Sequence, residues 1–158
     1  MVTDRSFEKE QNEVEELVSS NADLVSFGSQ EDAVGSAWVE AAERRIGLGF
    51  SPSYLWFLNR YKGGEICGEE VFSIYGVDFD AVSGGDIVHQ RELDQSSGLM
   101  RASQLVVSRT DLGEVFFFDY SVAADGEVPI KVLLPSGQAI NYASNFYEFI
   151  CRRMVSYI

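Results

Sequence analysis

The amino-acid sequence predicts an α+β fold: N-terminal helices packed on a mostly antiparallel β-meander, closed by a C-terminal helix. Three observations lead there. Helical spacing of apolar residues dominates positions 4–61, strand composition dominates 70–142, and helical spacing returns after Ser144. Helices, then strands, then a helix is the order of segregated layers, whereas a parallel sheet would alternate the two. The 158 residues make a single domain, 1–158, in which 1–28 are an N-terminal helix and the linker leading into it. A hydrophobic content of 46% and an aromatic content of 13% are enough for a packed core and argue against disorder.

Residues 4–19 form the first predicted helix, with Phe7, Val14, Leu17 and Val18 on one side. Its other side carries Glu8, Glu10, Glu13, Glu15 and Glu16, read as a solvated face. Residues 23–28 are too short for a helix and suit an edge strand or an apolar linker. Ser29 followed by Asp32 is a helix-start pattern, and Val34, Ala37, Trp38 and Ala41 continue it at helical intervals. Trp38 is expected to anchor that helix in the core. The sheet is predicted from runs at 70–75, 105–108, 115–120, 129–134 and 138–142, with 115–120 central because both of its faces are large. Asp125-Gly126 and Pro135-Ser136-Gly137 are turns. Ser144 is placed as the cap of the last helix, whose stripe is Phe146, Phe149, Ile150, Met154 and Tyr157. Between the first two of these strand runs, 76–103 is the least determined stretch, with one or two helical turns expected after Asp86.

The chain turns on residues 43–64. Gly47 and Gly49 bracket a corner between two helices, Ser51 stands as N-cap, and Pro52 occupies the first helical position. Tyr54, Phe57, Leu58 and Tyr61 then line one apolar face, and Gly63-Gly64 end the helix. The order Glu43, Ile46-Gly47, Phe50 with Pro52, Tyr54, Phe57-Leu58, Tyr61 and Gly63-Gly64 resembles the SUKH superfamily. More narrowly it resembles the Smi/Knr-type cell-wall-assembly-regulator branch, which includes many bacterial immunity proteins. Lys62 stands where that family usually has asparagine, and Phe50-Ser51-Pro52 replaces its Leu-Pro pair. The resemblance implies the same α+β architecture and a protein partner, a cognate toxin or a signalling protein, rather than a substrate.

Residue chemistry points the same way. The net charge is −13; residues 1–43 hold eleven acidic and two basic side chains, so −9 of it lies there. Such a chain repels nucleic acid and anionic membranes and favours encounter with basic proteins. No apolar run approaches the roughly 20 residues of a membrane span, no secretory signal is visible, and the expected location is the cytoplasm. Cys67 and Cys151 have neither disulfide-framework nor metal-ligand spacing. His89, the single histidine, lacks a Gly-x-Ser-x-Gly elbow to serve; a hydrolase using it with Asp86 or Asp80 is the remaining enzymatic reading. Neither a catalytic set, a cofactor nor a metal is expected. The candidate partner-binding residues are Glu65, Glu69 and Glu70 in one loop, and Asp78, Asp80 and Asp86 in the next, as one acidic patch. Trp56 joins them, lying off the apolar face of its helix, either as an exposed docking aromatic or, preferably, covered by the N-terminal helix.

Overall fold

The computed structural model of the protein describes residues 7–158. Its helices are α1 (Glu8–Ser20), α2 (Ser36–Ile46), α3 (Pro52–Tyr61), α4 (Ile87–Ser97) and α5 (Phe146–Val155). Its strands are β1 (Val25–Phe27), β2 (Gly64–Ile66), β3 (Glu69–Val71), β4 (Gln104–Arg109), β5 (Val115–Asp119), β6 (Ile130–Leu133) and β7 (Ala139–Ala143). The seven strands make one sheet in sequence order, each antiparallel to its neighbour. This is the predicted α+β meander. The predicted start of the first helix, residues 4–6, lies outside the described residues.

The stretch 43–64 folds as its residue types require. Gly47 ends α2 in the left-handed conformation at φ 82°, and the Ser51 hydroxyl accepts the Tyr54 N–H at 3.3 Å. Gly49 is not in a left-handed conformation, so one glycine turns the corner rather than two. Gly63 and Gly64 have φ of 152° and 139° and also admit no side chain. A Cβ on Gly64 would lie 2.1 Å from the Ser26 carbonyl oxygen, because β1 passes directly across this point.

Four expectations need correction. Ser29 and Asp32 bond each other around a 3-10 turn (Gln30–Asp32), and α2 starts only at Ser36. Trp38 is half-buried, edge-on to Phe79 at 5.6 Å; the buried residues of α2 are Ala42 and Ile46. Asn145 rather than Ser144 caps α5, accepting the Glu148 N–H at 2.9 Å. Residues 64–71, expected as a loop up to the strand at 70–75, are a hairpin whose turn, Cys67-Gly68, has φ of 50° and 83°; β2 is the added strand, and it pairs with β1. A strand of three residues, with Glu65 exposed at its centre, carries too little period-2 signal to be recognised.

The core lies between the sheet and helices α3 and α5. Tyr54 is fully buried; its ring meets Phe50, Phe118 and Phe146 at 5.2, 5.3 and 5.0 Å, and its hydroxyl donates to the Phe72 carbonyl at 2.7 Å. Phe116, Phe117 and Phe118 of β5 are all buried, which fits the central position predicted for that strand. One polar knot joins distant segments. Ser53 donates its N–H and its hydroxyl to the two oxygens of Glu127, at 3.1 and 2.6 Å, and its Oγ accepts the Phe146 N–H at 2.9 Å. The starts of α3 and α5 and the turn before β6 are thereby tied together.

Two outcomes test this account. Gly64→Ala should destabilise the protein by about 3 kcal/mol or more, since both backbone angle and space oppose it, as read by urea denaturation. Burial pushes the Glu127 carboxyl above its ordinary value, against the lowering effect of its two bonds from Ser53. The folded chain therefore holds this proton more tightly than the unfolded one. Stability from the neutral form is full below the ordinary carboxyl range and is lost as pH rises through that range to the raised folded value. Denaturation midpoints measured between about pH 4 and 7 should show that fall, and Glu127→Gln should flatten it.

Candidate functional site

The acidic residues singled out from the sequence are placed by the β2–β3 hairpin and by the loop that leads from β3 to α4. Glu65 projects from β2 and is exposed. Glu69 is largely covered and pairs with Arg153 of α5, whose guanidinium also lies over the Phe116 ring at 4.7 Å. Glu70 accepts the Tyr75 hydroxyl, whose pKa is pushed up to about 12 by burial and by that carboxylate. Asp78 is exposed and accepts the Asp80 N–H at 2.9 Å. Asp80 pairs with Arg45 at 2.6 Å, and Glu92 of α4 holds the same guanidinium at 2.9 Å. The two carboxylates push the arginine pKa up, an effect without much energetic weight at so exposed a position.

Asp86 is the clearest departure from a surface role, because it is fully buried. Its Oδ1 accepts the N–H groups of Val88 and His89 at 2.9 and 3.2 Å, and its Oδ2 accepts that of Tyr75 at 2.9 Å. It caps α4, as the sequence predicts, and fastens that helix to the chain leaving β3. Both oxygens are engaged by backbone donors, so the carboxylate is committed to structure rather than to the His89 imidazole. The predicted patch therefore divides: Glu69 and Glu70 are held by internal partners, Asp86 is interior, Asp80 is exposed but paired with Arg45, and Glu65 and Asp78 face solvent.

Trp56 is half-buried, edge-on to Tyr61 at 5.9 Å and to Tyr147 of α5 at 5.5 Å. Helix α1 lies beside this aromatic seam: Gln11 bonds the Tyr147 hydroxyl at 3.0 Å, Phe7 meets the Tyr147 ring at 5.4 Å, and Glu15 pairs with Arg60 of α3 at 3.1 Å. Only Val14 of α1 is buried. The polar face of α1 is where carboxylates remain open, with Glu8, Glu13 and Glu16 exposed and in no ion pair among the described residues.

A second charged group escaped sequence reading. Arg91 of α4 is buried and donates to the carbonyls of Ala102 and Gln104, both at 2.8 Å, and of Ile46 at 3.4 Å. Burial lowers its pKa, which the Asp94 carboxylate opposes. Burial raises the Asp94 pKa in turn, against its contact with Arg109. These groups lock α4 to the end of α2 and the start of β4. No local pattern marks them, because their partners are backbone carbonyls brought in by folding. Among the described residues no group of three or more histidine, cysteine, aspartate or glutamate side chains is arranged to hold a metal. Likewise none of the helices is long and apolar enough to cross a membrane.

Fold and site together define an α+β domain whose acidic groups face outward or are held by structural partners. The SUKH family model described as SMI1-KNR4 cell-wall matches residues 36–150, and the chain belongs to that family. No curated protein matches the chain. The match runs from α2 into α5; α1 and β1 lie before it, and the last turn of α5 after it.

If Asp86 is a structural cap and His89 a helix-surface residue, their substitutions must differ sharply in cost. Asp86→Ala, which strands three N–H donors, that of Val88 buried and those of Tyr75 and His89 partly so, should lower stability by about 3 kcal/mol, and His89→Ala by under about 1 kcal/mol. Paired chemical denaturation curves for the two variants check this.

Proposed function

We propose that the chain is a non-catalytic protein-binding domain acting as an immunity protein, neutralising a cognate toxin domain in the cytoplasm by direct stoichiometric binding. The observation that carries this reading is the uneven charge: −9 of the net −13 lies in residues 1–43, and Glu8, Glu13 and Glu16 of α1 are exposed. A preformed negative surface steers onto a basic protein and speeds encounter, and it can cover a positively charged active site once docked. Membership of the SUKH family supports a non-catalytic binding role. The commitment of Asp86 to three backbone donors supports it too, since it removes the carboxylate best placed to serve His89. Glu65, Asp78 and the exposed part of Trp56 remain candidates for the contact surface, as does the carboxylate Asp80 if Arg45 releases it.

A second reading, a regulatory adaptor in cell-wall or intracellular signalling, draws on the cell-wall description of the family. Gene neighbourhood separates the two, because immunity requires a toxin gene alongside. Co-expression with the adjacent toxin domain should restore growth and give a one-to-one complex by size exclusion. Its association rate should fall by about tenfold or more when ionic strength is raised from low to near-physiological values. Growth arrest despite co-expression, with no complex at low salt, would refute the immunity reading.

A further inference from the structure

We infer that the groove between α1 and α5 is the docking site for a basic segment of the partner protein, one arginine or lysine side chain entering it with its aliphatic stem on the floor. This rests on the protein-binding role proposed above and assigns that role a surface. The groove has a volume of about 740 Å³, within the range of sites that take a compact ligand group. Its floor is partly apolar, from Tyr147, Cys151 and Val155, and Val155 is 56% exposed. Carboxylates stand on both walls: Glu10 and Glu13 on α1, Glu148 on α5. Two cations share the rim. Arg152 is already engaged, 3.6 Å from Glu148 and 2.8 Å from the Tyr142 carbonyl, while Lys9 is exposed. Glu13 has no ion pair among the described residues, so the α1 wall keeps a negative charge for an incoming cation.

Two further observations point into the groove. The Cys151 thiol is pushed up to about 12, first by burial and then by Glu13 and Glu148, so negative potential from both walls meets at the floor. A long cationic side chain suits such a place, with its stem against apolar surface and its head between carboxylates. The groove also lies largely outside the shared family core: α1 precedes the matched residues 36–150, and Cys151, Arg152 and Val155 follow them. A partner-specific contact is expected on such added surface rather than on the common scaffold. Adjoining the groove and sharing Lys9 and Glu13 with it, Glu8, Asn12 and Glu16 line a second shallow depression, which extends the acidic surface along the helix.

The test has two arms. In the first, isotope-labelled protein is titrated with a blocked peptide of alternating arginine and leucine, and amide shifts are followed by NMR. Shifts should centre on Tyr147, Cys151 and Val155. Affinity should fall about tenfold in Glu13→Lys and in Val155→Lys, and hold within about twofold in Glu65→Lys, which makes the same charge change on the hairpin. All three sites are exposed, so the variants should keep the fold, and thermal melts confirm it. Shifts spread over the surface, equal losses in Glu13→Lys and Glu65→Lys, or no binding would overturn the assignment. In the second arm the adjacent toxin domain replaces the peptide. Toxin binding that Glu13→Lys leaves unchanged overturns the groove and spares the immunity reading. Groove-centred peptide binding with no toxin binding supports the groove as a receptor for basic segments and removes the immunity role.

Discussion

The structure depends on one buried junction, the serine of the third helix that holds a glutamate from the turn before β6. Ser53 lies in the first turn of α3, where backbone N–H groups have no helical partner. Glu127 supplies the acceptors, and the Ser53 hydroxyl passes one bond on to the start of α5. Three segments up to 93 positions apart in the chain are thus satisfied by one side chain pair. A carboxylate without a cation is costly inside a protein, which is why burial raises its pKa and why two good donors are needed to keep it there. The aromatic cluster around Tyr54 packs directly onto this junction, since Tyr54 follows Ser53 in the same helix.

The same economy explains what happened to the acidic patch. Several carboxylates in the middle of the chain are spent on holding elements together: Asp86 on α4, Glu69 on α5 and Asp94 on β4 through Arg109. On α1 only Glu15 is so used, pairing with Arg60, while Glu8, Glu13 and Glu16 stand exposed in no ion pair among the described residues. Exposed carboxylates without an ion pair therefore stand on α1, as they do at Glu65 and Asp78. The family match covers the residues from α2 into α5, and α1 lies outside it.

Much was legible in the sequence because it is written locally. Ser51-Pro52 starts α3, Gly47 ends α2, Asp86 caps α4 and Gly63-Gly64 stop α3; each needs only its own neighbours to be read. Apolar spacing located α3 and α5, and the aromatic run 115–120 marked an interior strand. Strand β2 and its turn into β3 were not legible, because β2 is three residues long and the turn relies on Cys67 in a left-handed conformation unusual for cysteine. The 3-10 turn after Ser29 shows the opposite failure: a genuine cap pattern followed by a helix that starts four residues beyond the turn.

The sequence by itself determined the fold class, the succession of most elements and the charge asymmetry, since capping, periodicity and composition act over a few residues. Tertiary structure alone decided which charges are available. Whether an aspartate is a surface anion or a buried cap depends on donors that arrive from distant segments, as Tyr75 does at Asp86 and Arg153 at Glu69. Local sequence holds no record of those arrivals, and the groove between α1 and α5 exists only because folding lays the two ends of the chain side by side.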